Sequence, residues 1–192
     1  MDIRSDIWRG GSLEADEVFR FSAIPKNLCK TIVNKIRLYD SWQESEVYAL
    51  NQLVIDKRTR NALVLGGENF REERQLLHEL FVSKVVKISG KKRLGLPHFV
   101  RYRSGGYYQP HRDTSPATND RRITVLCYLN DDFSGGGTAF PELNHEVKPI
   151  KGTAIIFPSY YVHSGMRISK GEKYISIAWL HKPKLKDWIT QV

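Results

Sequence analysis

The sequence predicts a mainly β fold, a double-stranded β-helix (jelly roll) buttressed by N-terminal α/β elements. Three observations carry the prediction. After Gly95, short β-prone runs recur at intervals of about ten residues, separated by Gly, Asn, Asp and Pro. Eight such runs can be picked out, enough to build two facing sheets. Ahead of them, two segments place apolar residues at helical spacing, and no linker divides these segments from the strand-rich part of the chain. The expectation is therefore one domain over residues 1–192, with residues 1–95 as the helical and strand buttress and 96–182 as the jelly-roll core.

The elements are justified in chain order. Residues 18–24, Val-Phe-Arg-Phe-Ser-Ala-Ile, read as a short strand centred on Phe19 to Ile24. Pro25 then suits the first turn of a helix whose stripe is Leu28, Ile32, Ile36 and Tyr39. Val47 to Ile55 reads as one strand, and Gly66-Gly67 as a break. From Asn69 to about Ser89, the residues Phe70, Leu76, Leu77, Leu80, Phe81 and Val85 recur at helical spacing. Asn69 is the expected N-cap, with Glu72 and Glu73 where the helix dipole favours acids. The eight core strands are expected at 98–103, 107–112, 122–129, 138–140, 146–149, 153–157, 161–165 and 174–181.

Composition narrows the class. A chain of 192 residues that is 41% hydrophobic and 27% charged is long and apolar enough for a substantial core. No apolar run approaches a membrane span, and residues 1–12 lack the apolar centre of a signal peptide. Cys29 and Cys127 lie far apart, and Cys127 sits in an apolar run. Buried free thiols and a cytoplasmic location are expected. The net charge of +9 is dispersed, with only short clusters at 91–93 and 182–186. A nucleic-acid partner calls for a clustered basic face and is ranked low.

The chemistry is concentrated between Tyr107 and Lys173. In an extended segment residues two apart share a face, so His111 and Asp113 can reach one metal. His163 comes after an apolar run, Ala154 to Phe157, and is the third candidate ligand. Two histidines and one carboxylate leave open positions, as non-haem Fe(II) requires, although the same set also suits a hydrolytic zinc. Each of these residues alone would be read as structural; the combination is what carries weight. Ser169-Lys170-Gly171 reads as a turn that makes 161–166 and 173–180 hairpin partners. Lys173 would then lie about 7–10 Å along the strands from His163, a span that a five-carbon dicarboxylate matches. Tyr128 shares a strand face with Thr124 and Leu126, and Tyr102 precedes the Gly105-Gly106 turn; either phenol can donate to a carboxylate. Gly135 to Gly137 lacks the rest of a phosphate loop and reads as a turn. His78, His98, His145 and His181 have no partner at ligand spacing.

These motifs together resemble the 2-oxoglutarate- and Fe(II)-dependent dioxygenases, specifically the prolyl 4-hydroxylase-like group. The resemblance covers Phe99 to Leu180: Arg-Tyr102, Gly-Gly-Tyr-Tyr before His111-Arg-Asp113, Arg121 to Thr124, Tyr128-Leu-Asn, the Gly-Gly-x-Thr-x-Phe-Pro run ending at Pro141, Val147-Lys-Pro, Lys151-Gly152, His163-Ser-Gly165, Gly171-x-Lys173 and Trp179. It implies iron ligands at His111, Asp113 and His163. It implies Lys173 as the partner of the distal 2-oxoglutarate carboxylate, with Tyr128 and Tyr102 as hydrogen-bonding neighbours. It further implies hydroxylation of an unactivated C–H by O2, coupled to conversion of 2-oxoglutarate to succinate and CO2, with ascorbate as a reductant. The expected partner is a prolyl peptide or an amino-acid-like small molecule. A natural-product or nucleic-acid substrate, or a basic jelly-roll binding module without catalysis, ranks below it. One departure stands out: where the group usually shows Gly-Gly-Glu-Thr, this chain has Gly136-Gly137-Thr138, without the acid. Gln43 to Gly67 and Ser115 to Asn119 are the expected substrate loops.

Overall fold

The computed structural model describes residues 11–49, 52–86 and 93–182. In chain order the strands and helices are β1 (Gly11–Ala15), β2 (Val18–Ser22), α1 (Lys26–Arg37), β3 (Gln43–Glu44), β4 (Val47–Ala49), β5 (Gln52–Val54), β6 (Arg60–Asn61), β7 (Leu63–Leu65) and α2 (Arg71–Phe81). They continue with β8 (Arg93–Leu94), β9 (His98–Tyr102), β10 (Tyr107–His111), β11 (Arg121–Tyr128), β12 (Ser134–Gly135), β13 (Thr138–Phe140), β14 (His145–Val147), β15 (Thr153–Pro158), β16 (His163–Gly165), β17 (Ile168–Lys170) and β18 (Lys173–His181). The main sheet runs β1-β2-β15-β11-β18-β9-β7-β3, with β8 on the far end of β18. The smaller sheet runs β14-β13-β16-β10-β6. This is the mainly β jelly roll with N-terminal helical buttress that the sequence predicts.

Two cores share the main sheet. Along β11, Val125, Cys127 and Leu129 point to one face and pack with Ile32 and Ile36 of α1 and Leu77 and Phe81 of α2. Leu126 and Tyr128 point to the other face and pack with Phe140 and Val147 of the smaller sheet. The same alternation holds on β18, where Tyr174, Ala178 and Leu180 meet the helices while Ile175 and Ile177 face the barrel interior. A sheet covered on both faces reads as an unbroken apolar run, and that is how β11, β15 and β18 read. Burial drives this packing, at roughly 25 cal/mol for each Å² of apolar surface removed from water.

Several expectations are corrected. Residues 47–55 form two short antiparallel strands, β4 and β5, with Val47 opposite Val54, where the sequence suggests one strand. The N-cap of α2 is Phe70, in the left-handed region at φ 50°, and makes no side-chain cap. Asn69 is engaged elsewhere, accepting from the Tyr39 hydroxyl at 2.8 Å and donating to the Gly66 carbonyl at 3.2 Å. The helix passes at Val82–Val86 into a π-helical segment; its expected continuation to Ser89 lies outside the described residues. Leu76 is 41% exposed and does not belong to the buried stripe. Most important, β16 and β18 are not hairpin partners. β16 pairs with β10 and β13 in the smaller sheet, whereas β18 lies between β11 and β9 in the main sheet. β18 is apolar on both faces, which suits a covered central strand and not the limb of an open hairpin. Lys173 therefore reaches the site from a different sheet than His163 does. Both cysteines are free and buried.

Phe81 and Leu76 give a direct test of the two faces of α2. Phe81→Ala should cost about 3–5 kcal/mol in denaturant unfolding, the usual result of emptying an aromatic core site. Leu76→Ala should stay within about 0.5 kcal/mol, as expected of a surface position.

Candidate metal centre and its cavity

Three side chains converge between the two sheets. One ligand atom from each of His111, Asp113 and His163 lies within 4.8 Å of the others. His111 ends β10 and is paired across the ladder with His163 at the start of β16. Asp113 lies just beyond β10, in a bend and not in the strand itself. Its backbone N–H donates to the Ser159 carbonyl at 3.0 Å, which fixes the bend so that the carboxylate still turns inward.

The hydrogen bonds around these residues leave the correct atoms facing the centre. His111 donates Nδ1–H to the Gln109 carbonyl at 2.8 Å, and His163 donates Nδ1–H to the Tyr161 carbonyl at 3.1 Å. A carbonyl only accepts, so each ring keeps its Nε2 lone pair free, the arrangement found in metal-ligating histidines. Those Nε2 atoms lie 3.6 and 3.7 Å from the two Asp113 oxygens. Asp113 Oδ2 also accepts from the Thr124 hydroxyl at 2.6 Å, and Thr124 in turn meets Ser159 at 3.0 Å. Burial alone would raise the Asp113 carboxyl, but the facing His163 and His111 and the Thr124 hydrogen bond outweigh it and hold the group well below the usual carboxylate range. Burial lowers the His163 imidazole to about 4, against the pull of Asp113. At neutral pH the centre thus offers a carboxylate and at least one neutral imidazole. The donor set, with oxygen and nitrogen atoms on one side only, fits a divalent transition metal that keeps open positions.

A cavity of about 820 Å³ leads from this centre. Lys173 lies in its wall and is 2% exposed. Its Nζ donates to the Gly136 carbonyl at 2.5 Å and sits 5.4 Å from the ring centroids of both Tyr102 and Tyr128. No carboxylate among the described residues lies within 4 Å of it. Burial brings the ammonium down to about 7. A buried lysine with aromatic walls and no acid partner is an orphaned cation, and a carboxylate brought in by a ligand would satisfy it. Tyr128 is hydrogen-bonded to Thr138 at 2.7 Å, and burial raises both phenols. The expected ligands, the expected lysine and Tyr102 are therefore brought around one space, whereas Tyr128 lies behind its wall, beside Lys173 and hydrogen-bonded to Thr138. Both expected loops also reach its wall, through Val47 and Thr59 on one side and Ser115 and Thr118 on the other.

Beside the missing acid at Gly137, the Glu146 side chain of the neighbouring β14 lies where a Cβ at 137 would point, so a side chain there would require Glu146, an exposed and flexible group, to swing aside. Thr138 turns into the barrel, so this acid lies on the outer side of the smaller sheet.

Four cavity residues do not stand out as site residues in the sequence: Tyr108, Arg60, Arg121 and Trp179. Tyr108 stacks on His111 with centroids 3.4 Å apart and an interplanar angle of 15°. Two residues beyond Lys173 on one strand face come Ile175, then Ile177 and Trp179, so strand parity could have found Trp179. Arg60 opens the two-residue strand β6 in a basic stretch with no periodicity, and nothing in the neighbouring sequence distinguishes it from Arg58.

Comparison with known proteins agrees with this geometry. The profile of the 2OG-Fe(II) oxygenase superfamily matches residues 97–181. A candidate prolyl 4-hydroxylase of Acanthamoeba polyphaga mimivirus is 35% identical over 106 residues, which are 44% of this chain and 44% of that protein. Prolyl 4-hydroxylase subunit alpha-1 of Gallus gallus is 37% identical over 100 residues, 42% of this chain and 19% of that one. The match thus spans less than half the length of either relative. In fold, the chain is similar to a prolyl hydroxylase of Trichoplax adhaerens, solved with a hypoxia inducible factor peptide, with a TM-score of 0.72 at 17% identity over 92% of this chain and 87% of that one.

A metal titration tests the centre. Mn(II) at a hundredfold excess over its Kd should stabilise the protein by about 2.7 kcal/mol, read as a rise in Tm. Asp113→Ala and His163→Ala should each abolish the metal-dependent rise, and Lys173→Met should retain it.

Proposed function

We propose that the chain is, through residues 97–181, a 2OG-Fe(II) oxygenase of the prolyl 4-hydroxylase-like group, and that it hydroxylates an unactivated C–H of a prolyl peptide or an amino-acid-like substrate, forming succinate and CO2 from 2-oxoglutarate. The observation that carries this reading is the pairing, in one cavity, of the His111–Asp113–His163 cluster with a buried lysine that lacks an acid. A hydrolytic zinc site would leave Lys173 without a purpose. The two buried free thiols support a reducing, cytoplasmic setting.

His111, Asp113 and His163 would hold Fe(II), and Lys173 would meet the distal carboxylate of 2-oxoglutarate. When bound, iron would supply the redox chemistry that activates O2, with 2-oxoglutarate as the two-electron co-reductant, so that O2 can oxidise an unactivated C–H bond. The chain's own work is positional. The Gln109 and Tyr161 carbonyls fix both imidazoles with Nε2 inward. Thr124 and the Ser159 carbonyl hold Asp113 in place. Val100, Leu126, Ile175 and Ile177 line the cavity and exclude water from the reacting centre. Tyr102 and Tyr128 flank the lysine with their rings, and Tyr102, which lines the cavity, would be the nearer hydrogen-bonding neighbour of the same co-substrate carboxylate.

Two outcomes check this reading. With Fe(II) and O2, a substrate drawn from proline peptides and free amino acids should gain one oxygen by mass spectrometry for each succinate formed. A panel in which none accelerates 2-oxoglutarate consumption above the substrate-free rate would refute the substrate class.

The second outcome concerns pH. Below about pH 7 Lys173 is already protonated, and co-substrate affinity should be independent of pH. Above that value binding must draw a proton onto the lysine. The Kd for 2-oxoglutarate should then rise about tenfold per pH unit until the lysine of the complex itself titrates. Lys173→Met should remove this dependence. It should also weaken binding roughly 10- to 150-fold, the worth of a charge-assisted hydrogen bond of about 1.5–3 kcal/mol.

A further inference from the structure

Two of the three candidate ligands take their aim from one short loop, residues 159–162 between β15 and β16. Three consecutive carbonyls of this loop accept hydrogen bonds from the metal-centre segments. Ser159 accepts from the Asp113 N–H at 3.0 Å, Tyr160 from Arg112 Nε at 2.8 Å, and Tyr161 from His163 Nδ1 at 3.1 Å. The loop is secured at its start, where Ser159 is fully buried and donates its N–H to the Arg122 carbonyl of β11 at 3.0 Å. One residue later it reaches the surface, with Tyr160 56% exposed.

The other end is held from a distant part of the chain. The Tyr161 ring packs against the barrel core, and its hydroxyl donates to Glu17 Oε2 at 2.9 Å. Glu17 lies in the two-residue turn between β1 and β2, where Ala15 pairs with Val18. Its φ is 53°, in the left-handed region that favours Gly and Asn. A glutamate there costs backbone energy, because its Cβ crowds the following carbonyl. Strain of this kind persists where the side chain has a use. The contact visible here is the Tyr161 hydroxyl. Burial, then the bond to Glu17, raise the Tyr161 phenol, so at neutral pH the phenol is the donor. A carboxylate acceptor makes such a bond stronger than a neutral one.

We propose that Glu17 is a positioning residue for the metal centre. Through the Tyr161 hydroxyl it fixes the end of the 159–162 loop, and with it the carbonyl that keeps His163 Nε2 turned toward the metal. The relay rests on the metal-centre reading and is independent of the substrate. Groups bonded directly to a ligand commonly change metal affinity by about 10- to 100-fold; Glu17 acts one bond further out, so roughly three- to tenfold is expected.

The test uses the full chain, stripped of metal and titrated with Mn(II), with the Tm of the metal-free protein as the control for folding. Glu17→Asn suits a left-handed turn but is too short to reach Tyr161. It should weaken Mn(II) binding roughly three- to tenfold, while the Tm stays level or rises. Tyr161→Phe should weaken binding equally, and the double variant no further, because both changes remove one bond. Glu17→Gln loses the same charge but keeps an oxygen that accepts from Tyr161, and it should recover most of the affinity. The visible absorption bands of the Co(II)-loaded protein report ligand geometry. They should shift in Glu17→Asn and Tyr161→Phe and return in Glu17→Gln. Glu14→Gln, which breaks the ion pair to Arg20 at 2.9 Å on the same hairpin, should leave metal affinity unchanged.

Unchanged Mn(II) affinity or unchanged Co(II) bands in Glu17→Asn would overturn the relay and leave the metal centre standing. So would single-variant losses that add in the double variant, a loss shared by Glu14→Gln, or a loss that follows a fall in Tm. A wild-type chain that takes up no divalent metal would refute the centre and the relay together. The expected metal behaviour without succinate formation in the Fe(II) assay would sustain the relay and refute the hydroxylase reading.

Discussion

The constraint on which the rest depends is the burial of the main sheet on both faces. Helices α1 and α2 cover one side and the smaller sheet covers the other, so each central strand must alternate between two cores. That alternation decides where the chemistry lies. On β18 it sends Tyr174, Ala178 and Leu180 toward the helices and turns Lys173, Ile175, Ile177 and Trp179 toward the cavity. A one-residue slip of β18 would exchange the two sets and bury Lys173 among helical side chains. The register is held on both edges, by Ile175 against Tyr128 and by Lys173 against Tyr102. The helices therefore serve the site chiefly through the sheet they cover, with Arg74 of α2 also reaching the cavity wall.

The metal centre depends on a second layer of the same kind. Asp113 lies outside regular structure, and its position comes from bonds to its backbone and side chain together. Ser159 accepts from its N–H, Thr118 and Arg121 donate to its carbonyl, and Thr124 donates to its carboxylate. Ser159 and Thr124 are themselves in contact at 3.0 Å, so β11 and the end of β15 hold the bend jointly. A histidine on a strand is aimed by its ladder; a carboxylate in a bend must be aimed by its neighbours. This explains why Thr124 is fully buried although it carries a hydroxyl.

Much of this is legible in the sequence, and the losses have identifiable causes. The core strands are visible because a two-sided sheet writes long apolar runs, as in Val125 to Leu129 and Ala154 to Phe157. His111, Asp113 and His163 are visible because metal chemistry restricts residue types as well as spacing. The pairing of β18 is misread because a local turn at Ser169 to Gly171 suggests a hairpin, whereas the strand's apolar faces, a non-local requirement, place it in the opposite sheet from β16. The short strands β3, β6, β7, β8, β12 and β17 carry two or three residues each and leave no period to read. Asn69 fails as a cap because its amide has a better use in joining Tyr39 to Gly66. Arg60 is illegible for a different reason: its partners are an aromatic ring and a carbonyl from distant segments, and neither constrains the residues around it.

The charge of the chain, +9 overall, gains a specific meaning inside the cavity. Lys173, Arg60 and Arg121 line its wall, and the acid at its centre, Asp113, faces two histidines. In a low-dielectric space such cations attract any anion, so selectivity must come from shape and depth. Lys173 is a compact charge, 2% exposed, with Tyr102 and Tyr128 on either side. The arginines are planar, stacked on rings and only partly covered. The lysine therefore suits a slender anion, as 2-oxoglutarate would be, and the arginines stand where the cavity is less covered.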